Sequence, residues 1–258
     1  MVKKNAKWIF IFVVCISLII AGYNVYAKKE MEEENMDHHH HTHHNNGVSE
    51  VQPEVTYSNG ELVIELKDKN GKVPELEVSH EKMMHLIVMS SDLNDYHHLH
   101  PEEKENGKYI KKIDLPDGDY KVFVDIAPKD LNYVVAPINI NVGGTHKDST
   151  KTKLTTDTDF TKTINGQTVE LITDDIETNK EVTFNFDTKD ATPEPYLGAL
   201  GHVIITDEAG EKFIHVHPLS ENDTVFVTQF EEPGLYKMWA EFKFGDEVNA
   251  YPFVIEVR

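Results

Sequence analysis

The residues best suited to chemistry in this 258-residue chain are two sets of three histidines that recur at one spacing. Each set has a histidine at the start of an apolar run and two more in a His-x-His-Pro segment. Site 1 is defined as His85, His98 and His100, and site 2 as His202, His215 and His217. In both sets the first and last histidines are 15 residues apart. Neutral imidazoles are common ligands of transition metals, so the repeated trio indicates a metal site.

Both sites are predicted to lie on β-hairpins. A two-residue turn at Ala209-Gly210 places the first histidine of site 2 opposite the last. A turn centred on Asp92-Leu93 does the same for site 1. Because side chains alternate along a strand, the three histidines of each hairpin then share one face. Directly opposed Cβ atoms lie roughly 5 Å apart, so the rings can converge on one ion.

The other face of each hairpin is apolar. It carries Leu86 and Val88 in the first copy and Val203 and Ile205 in the second. We expect that face to lie on the core, with the histidines pointing away from it. An alternative is that the histidines are ordinary polar positions on a half-exposed sheet, but their identical spacing in two copies favours metal binding.

The chain begins with a predicted targeting segment at residues 1–27. Early lysines precede an apolar run from Trp8 to Ala21, and Val25-Tyr26-Ala27 is typical of a cleavage site. A retained membrane anchor is the alternative, because the run approaches the length of a bilayer span. The protein is therefore expected to be secreted or anchored to the outer face of the bacterial cell membrane. The only cysteine, Cys15, lies in this run, so the mature chain would offer no thiolate ligand.

Residues 28–50 are acidic and rich in histidine, and we expect them to be disordered. Tracts of this kind gather soft and borderline metals with little selectivity. Met31 and Met36 nearby favour copper. The candidate ligands in this segment are His38, His39, His40, His41, His43 and His44.

The rest of the chain predicts an all-β protein with two tandem immunoglobulin-like or cupredoxin-like β-sandwich domains. Domain 1 is placed at 51–143, a linker at 144–153 and domain 2 at 154–258. The repeat extends beyond the histidines, because Gly118-Asp119-Tyr120 and Gly234-Leu235-Tyr236 each precede a late strand and resemble a tyrosine corner. The net charge of −20 argues against nucleic-acid binding and raises the local concentration of cations.

Two stretches resemble exported bacterial β-sandwich proteins of the YtkA-like or cupredoxin-like kind. They run from Met83 through Pro101 and from Tyr196 through Pro218, and both include a His-x-His-Pro segment. The resemblance implies an extracytoplasmic, metal-handling module and carries no established activity. A blue-copper site needs a cysteine thiolate, which the mature chain lacks, so electron transfer of that type is not expected.

Three imidazoles with an open fourth position suit a copper or zinc ion. Met83 is expected on the same side of its strand as His85, and a thioether there favours Cu(I). His80 and His97 are expected at the surface. The sequence therefore predicts an extracytoplasmic transition-metal-binding protein that captures, buffers or delivers copper or zinc. Its expected partners are the ion and a membrane metal transporter, with no nucleic acid and with membrane contact only through the N-terminal segment.

Two other functions are compatible with the sequence. The first is a non-catalytic surface scaffold or interaction module whose histidines form a hydrogen-bonded patch between the domains. The second is a metal-dependent oxidoreductase, since His215-Val216-His217 followed by Glu221 resembles a metal motif of cupins. That motif lacks its later histidine here, and no GxGxxG, P-loop or serine-elbow pattern is present. The protein is therefore not expected to be an enzyme.

Overall fold

The computed structural model of the protein describes residues 48–144 and 153–258, and every regular element in these ranges is a β-strand. Within the same ranges, no helix is long and apolar enough to cross a membrane. The predicted targeting segment, the six histidines of the N-terminal tract and most of the predicted linker lie outside the described residues.

Domain 1 consists of two four-stranded antiparallel sheets and a short two-stranded ribbon. Its strands are β1 (Val51–Ser58), β2 (Glu61–Asp68), β3 (Leu76–Glu77), β4 (His85–Ser90), β5 (Tyr96–Leu99), β6 (Glu102–Glu105), β7 (Lys108–Lys112), β8 (Gly118–Asp125), β9 (Ala127–Pro128) and β10 (Ile138–Val142). One sheet has the order β1-β2-β7-β6 and the other has β10-β8-β4-β5, while β3 pairs with β9.

Domain 2 repeats the two four-stranded sheets. Its strands are β11 (Thr161–Ile164), β12 (Gln167–Ile172), β13 (Glu181–Asp187), β14 (Gly201–Asp207), β15 (Ile214–Val216), β16 (Val225–Gln229), β17 (Gly234–Phe244) and β18 (Glu247–Val257). The sheet orders are β11-β12-β13-β16 and β15-β14-β17-β18. The predicted all-β architecture of two tandem immunoglobulin-like sandwiches is therefore confirmed.

The chain contains two tyrosine corners and an Asn-Gly hairpin turn. The hydroxyl of Tyr120 donates to the carbonyl of Pro116 at 3.0 Å, and that of Tyr236 donates to the carbonyl of Glu232 at 2.9 Å. Both are tyrosine corners, as the Gly-x-Tyr segments predict. The Asn165-Gly166 turn between β11 and β12 has positive φ at both residues, 48° and 78°, which is the backbone that a two-residue hairpin of this type requires.

Each sandwich has its own core between its two sheets. Strands such as β13 alternate exposed and buried residues because only one face meets the core. Leu86 and Val88 lie in the core of domain 1, and Val203 and Ile205 lie in the core of domain 2. The apolar faces of both hairpins are therefore on the core, as predicted.

A third apolar cluster joins the two domains. It contains Ile87 and Phe123 from domain 1 and Ile204 and Trp239 from domain 2, all at most 3% exposed. The rings of Tyr96 and Trp239 stack across it, with centroids 4.5 Å apart. As a result β4 and β14 are buried on both faces. The histidine faces of these two strands are thus covered by the opposite domain. The alternative of a half-exposed sheet is wrong for β4 and β14, whereas every residue of β5 is half-buried.

Candidate metal centre

The register of both hairpins agrees with the sequence prediction. In domain 1, Leu86 pairs with Leu99, and one further step in the same register places His85 opposite His100. In domain 2, Val203 pairs with Val216, which places the corresponding histidines opposite each other in the same way. Each trio therefore lies on one face of its hairpin, and one ring nitrogen from every member lies within 4.8 Å of the others.

Site 1 is built around the Nδ1 atom of His85. That atom lies 3.0 Å from Nε2 of His98 and 3.2 Å from Nε2 of His100. Three nitrogens bound to one ion at about 2 Å in a tetrahedral arrangement lie roughly 3.3 Å apart. The trio is therefore already close to the spacing of a coordinated metal.

The outer nitrogens of site 1 are held by acceptors. His85 donates from Nε2 to the backbone carbonyl of Ser79 at 3.0 Å. His98 donates from Nδ1 to Oε2 of Glu241 at 2.7 Å. A carbonyl and a carboxylate can only accept, so in neutral rings the proton sits on these outer nitrogens. The inner nitrogens of His85 and His98 then direct lone pairs at each other, an arrangement that needs a cation or a proton between them.

Site 2 repeats the same arrangement. His202 donates from Nε2 to the carbonyl of Tyr196 at 2.9 Å, and His215 donates from Nδ1 to Oδ2 of Asp125 at 2.9 Å. Among the described residues, neither Nδ1 of His202 nor Nε2 of His215 has a hydrogen-bond partner, although both atoms are buried. Buried acceptors without partners are costly, and a bound metal would satisfy both.

Burial favours the uncharged imidazoles that metals require. It lowers the pKa of His85 to about 4, and the charge that His98 carries when protonated adds to this effect. Burial also lowers the pKa of His202 to about 4 and that of His100 to about 2. The pKa of His215 is held well below its usual value, again mainly by burial. These four rings are therefore neutral at pH 7 and can accept a cation without releasing protons.

Glu241 is the most deeply buried carboxylate beside the histidines, at 2% exposure. Burial alone would raise the pKa of this carboxyl, but the charge that His98 carries when protonated, and the hydrogen bond from it, bring the pKa below its usual value. The hydroxyl of Tyr96 also donates to Oε1 of Glu241 at 2.8 Å. Glu241 is thus an ionised carboxylate that orients His98, in the manner of the outer partners of metal-bound histidines.

The other residues that the sequence singles out differ in burial. Met83 is 38% exposed, and its role as a copper ligand stays a prediction. Two methionines near it in the sequence, Met84 and Met89, are buried in apolar clusters. The expectation that His80 and His97 are surface residues is wrong, because both are half-buried. The ring of His80 stacks on that of His217 with centroids 3.6 Å apart.

Sequence reasoning missed the two carboxylates, Asp125 and Glu241. Both occupy the same position in the repeat, directly opposite the first histidine of each trio on the neighbouring strand. A signal was present, since the spacing from Tyr120 to Asp125 equals the spacing from Tyr236 to Glu241. An acidic residue at the same position of two otherwise apolar strands indicates that each carboxylate has a polar partner, because charged side chains are rarely buried unpaired.

A small cavity of about 20 Å³ lies beside site 2. Its lining includes His80 and Asp125 from domain 1 and His215 and His217 from domain 2. This volume is enough for about one water molecule. It is too small for an organic substrate, which agrees with a site for an ion.

The fold and the site define a protein of two tandem β-sandwich domains with a three-histidine cluster on each facing sheet. The chain belongs to the family described as a domain of unknown function, DUF8832, which matches residues 42–144 and again 162–258. The family is therefore present twice, once for each sandwich. No curated protein matches the sequence.

Solved structures give a distant likeness to repeated β-sandwich proteins. The Escherichia coli adhesin FdeC is 14% identical over 82% of this chain and 65% of its own, with a TM-score of 0.26. A two-domain fibronectin type III segment of chicken tenascin is 10% identical over 80% of this chain and 97% of its own, also with a TM-score of 0.26. Domains FN1–FN3 of chicken CNTN1 are 13% identical over 82% and 68% of the two chains, with a TM-score of 0.23. Likeness at this level says nothing about function.

Proposed function

We propose that this protein binds copper or zinc outside the cytoplasm and captures, buffers or delivers the ion, without catalysing a reaction. One observation carries the proposal. In each domain two outer ring nitrogens donate to acceptors, so the inner nitrogens of His85 and His98, and of His202 and His215, present lone pairs to a shared point. Neutral imidazoles held in this way by outer partners are the usual arrangement of histidine metal ligands.

The donor set favours borderline metals. Each trio offers imidazole nitrogens, and no thiolate is present among residues 48–144 and 153–258. Three imidazoles with an open fourth position suit Cu(II) or Zn(II). The histidine-rich tract of residues 28–50 would collect ions, which the buried trios would then hold.

The location and the finer family resemblance belong to the same proposal. The apolar run after the early lysines supports export, so the protein would act at the outer face of the cell membrane. A place among YtkA-like or cupredoxin-like exported proteins is supported by the two His-x-His-Pro hairpins. A membrane metal transporter would be the partner that receives or supplies the ion.

Calorimetric titration with Cu(II) and Zn(II) tests metal binding. The titrated protein is the tail-silent variant, which is the full chain with the six histidines of the N-terminal tract changed to asparagine. We expect two ions per chain, and His98→Asn should reduce this to one because it removes a ligand of site 1. The matched control is His97→Asn, which changes the neighbouring histidine outside both trios and should leave two ions. Equal stoichiometry in the two variants, or no binding at all, would refute the proposal.

A structural role for the histidines is the second candidate. It is favoured by the hydrogen bonds from His98 to Glu241 and from His215 to Asp125, which tie the domains together. A proton on Nε2 of His98 would also satisfy the 3.0 Å contact with His85. A melting temperature unaffected by metal or chelator, together with no calorimetric signal from the tail-silent variant, would favour this scaffold.

A further inference from the structure

The two trios are next to each other across the domain interface. The ring centroids of His85 and His215 are 5.5 Å apart, and those of His98 and His215 are 5.9 Å apart. His98 also lies 6.1 Å from His202. These distances between the sites are close to the distances within them, where centroids lie 4.3–6.1 Å apart. The histidines therefore form one continuous cluster.

Each trio is completed by a carboxylate from the other domain. Glu241 belongs to domain 2 and accepts a hydrogen bond from His98 of site 1, while Asp125 belongs to domain 1 and accepts one from His215 of site 2. Asp125 and Glu241 occupy corresponding positions in the repeat, as do His98 and His215. The exchange is therefore reciprocal, and neither domain contains all the polar groups of its own site.

The aromatic contacts follow the same reciprocal pattern. Tyr96 of domain 1 stacks on Trp239 of domain 2, and Phe213 of domain 2 stacks on Phe123 of domain 1 with centroids 5.2 Å apart. The apolar cluster lies on the same faces as the histidines, so it fixes the distance between the two sites.

We propose that the two trios form a single dinuclear metal centre shared by the domains. Each ion is held by three imidazoles of one domain and is positioned through a carboxylate of the other. This inference rests on the proposed function, and it adds that the cargo is a pair of neighbouring ions. The buried Glu241 and the half-buried Asp125 offset part of the positive charge that the ions bring into the interface.

The geometry sets an upper limit on the separation of the ions. An ion lies about 2 Å from its ligating nitrogen, and therefore roughly 3 Å from the centre of that ring. Two ions bound to His85 and His215, whose ring centroids are 5.5 Å apart, must then lie within about 12 Å of each other. Unpaired electrons of two Cu(II) ions at such distances interact magnetically, whereas ions in unrelated sites do not.

Electron paramagnetic resonance of the copper-loaded protein tests the proposal. The tail-silent variant receives two equivalents of Cu(II), and its spectrum is compared with those of two single-site variants that receive one equivalent each. His217→Asn leaves site 1 complete, and His100→Asn leaves site 2 complete. We expect the two-ion spectrum to be broadened by dipolar coupling, or to lose intensity, relative to the sum of the two single-site spectra.

The outcomes separate this inference from the proposed function. If two ions bind and their spectrum equals the sum of the single-site spectra, the dinuclear centre is refuted while metal binding stands. If the tail-silent variant binds no Cu(II), the metal-binding function itself fails, and the dinuclear centre fails with it. Broadening that disappears in both single-site variants supports the shared centre.

Discussion

In site 1 the inner nitrogens of the trio lie 3.0 and 3.2 Å apart, whereas in site 2 two corresponding buried nitrogens have no hydrogen-bond partner among the described residues. The carboxylates differ as well. The side chain of Glu241, which serves site 1, is 3% exposed, while that of Asp125, which serves site 2, is 17% exposed. The carboxylate of site 1 is therefore the more deeply buried, whereas the histidines of site 2 are more buried than those of site 1, and the small cavity lies beside site 2.

The difference comes from the neighbours of each trio, because the two hairpins share spacing and register. A tight turn precedes the first histidine in both domains, and its carbonyl accepts from that histidine. The turn carries His80 in domain 1 and Leu197 in domain 2, both with positive φ. His80 lies against site 2, so the chemistry of one site depends on the sequence of the other repeat.

The largest expected effect is the acid sensitivity of the metal-free tail-silent protein. Burial lowers the pKa of His85 and His202 to about 4, while an unfolded histidine titrates near 6.5. Below pH 6.5 the unfolded chain takes up protons that the folded chain refuses, so the free energy of unfolding decreases until about pH 4. The combined loss should be on the order of 5 kcal/mol, measured by urea denaturation at several pH values.

The same titration compares the two sites. His85→Asn and His202→Asn should each reduce the pH dependence of the free energy of unfolding by a similar amount, because burial lowers the pKa of each histidine to about 4. If the protein with both trios intact had the same free energy of unfolding at pH 6.5 and at pH 4.5, burial would not lower the pKa values of these histidines. A change in only one of the two variants would show that the sites are not equivalent.

The carboxylates should act on the site of the opposite domain. Glu241→Gln is expected to weaken Cu(II) binding at site 1, and Asp125→Asn at site 2, by about 10- to 100-fold in each case. The effect of Glu241→Gln should be the larger, because Glu241 is more buried and also accepts from Tyr96. Affinity is measured with the other site removed, by His217→Asn for site 1 and by His100→Asn for site 2.

Glu211→Gln is the matched control for the carboxylate variants. Glu211 of domain 2 forms an ion pair with Lys121 of domain 1, outside both trios. Glu211→Gln removes this ion pair between the domains and changes no histidine, so the Cu(II) affinities of site 1 and site 2 should both be unchanged. If Glu241→Gln weakened site 2 and left site 1 intact, the reciprocal arrangement would be wrong.

The smallest expected effect concerns the contact of His80 with site 2. His80→Leu gives domain 1 the residue that domain 2 has at this turn, and it removes the stacking on His217. Site 2 should lose about 2- to 10-fold in Cu(II) affinity, the value of one aromatic pair, while site 1 should be unchanged. The control His97→Leu makes the same substitution at a histidine outside both trios. If it lowered the Cu(II) affinity of site 2 by the same factor, the stacking of His80 on His217 would have no role in binding.

Local rules were sufficient to predict the hairpins. Period-two alternation about Asp92-Leu93 and Ala209-Gly210 gave the register and put each trio on one face. The predicted two-residue turn at Ala209-Gly210 is wrong, because the hydrogen-bonded turn runs from Asp207 to Gly210 and β15 begins only at Ile214. The docking of the domains could not be obtained in this way, because it depends on surfaces far apart in sequence. Ile87 and Ile204 hinted at it, since each is an apolar residue on the histidine face and both are fully buried in the interface.

The pairing of carboxylates with histidines was beyond sequence reasoning for the same reason. Glu241 follows His98 by 143 residues, and Asp125 precedes His215 by 90. Their partners belong to the opposite domain, so no motif within one repeat contains both members. Only the three-dimensional contact of β5 with β17, and of β8 with β15, brings them together.

Anomalous diffraction at the copper edge from crystals of the tail-silent protein soaked in Cu(II) tests the central claim most directly. Two peaks are expected at the domain interface, each about 2 Å from one nitrogen of every histidine in its trio. Peaks restricted to surface residues, with the inner nitrogens of His85 and His202 left uncoordinated, would contradict metal binding by the trios.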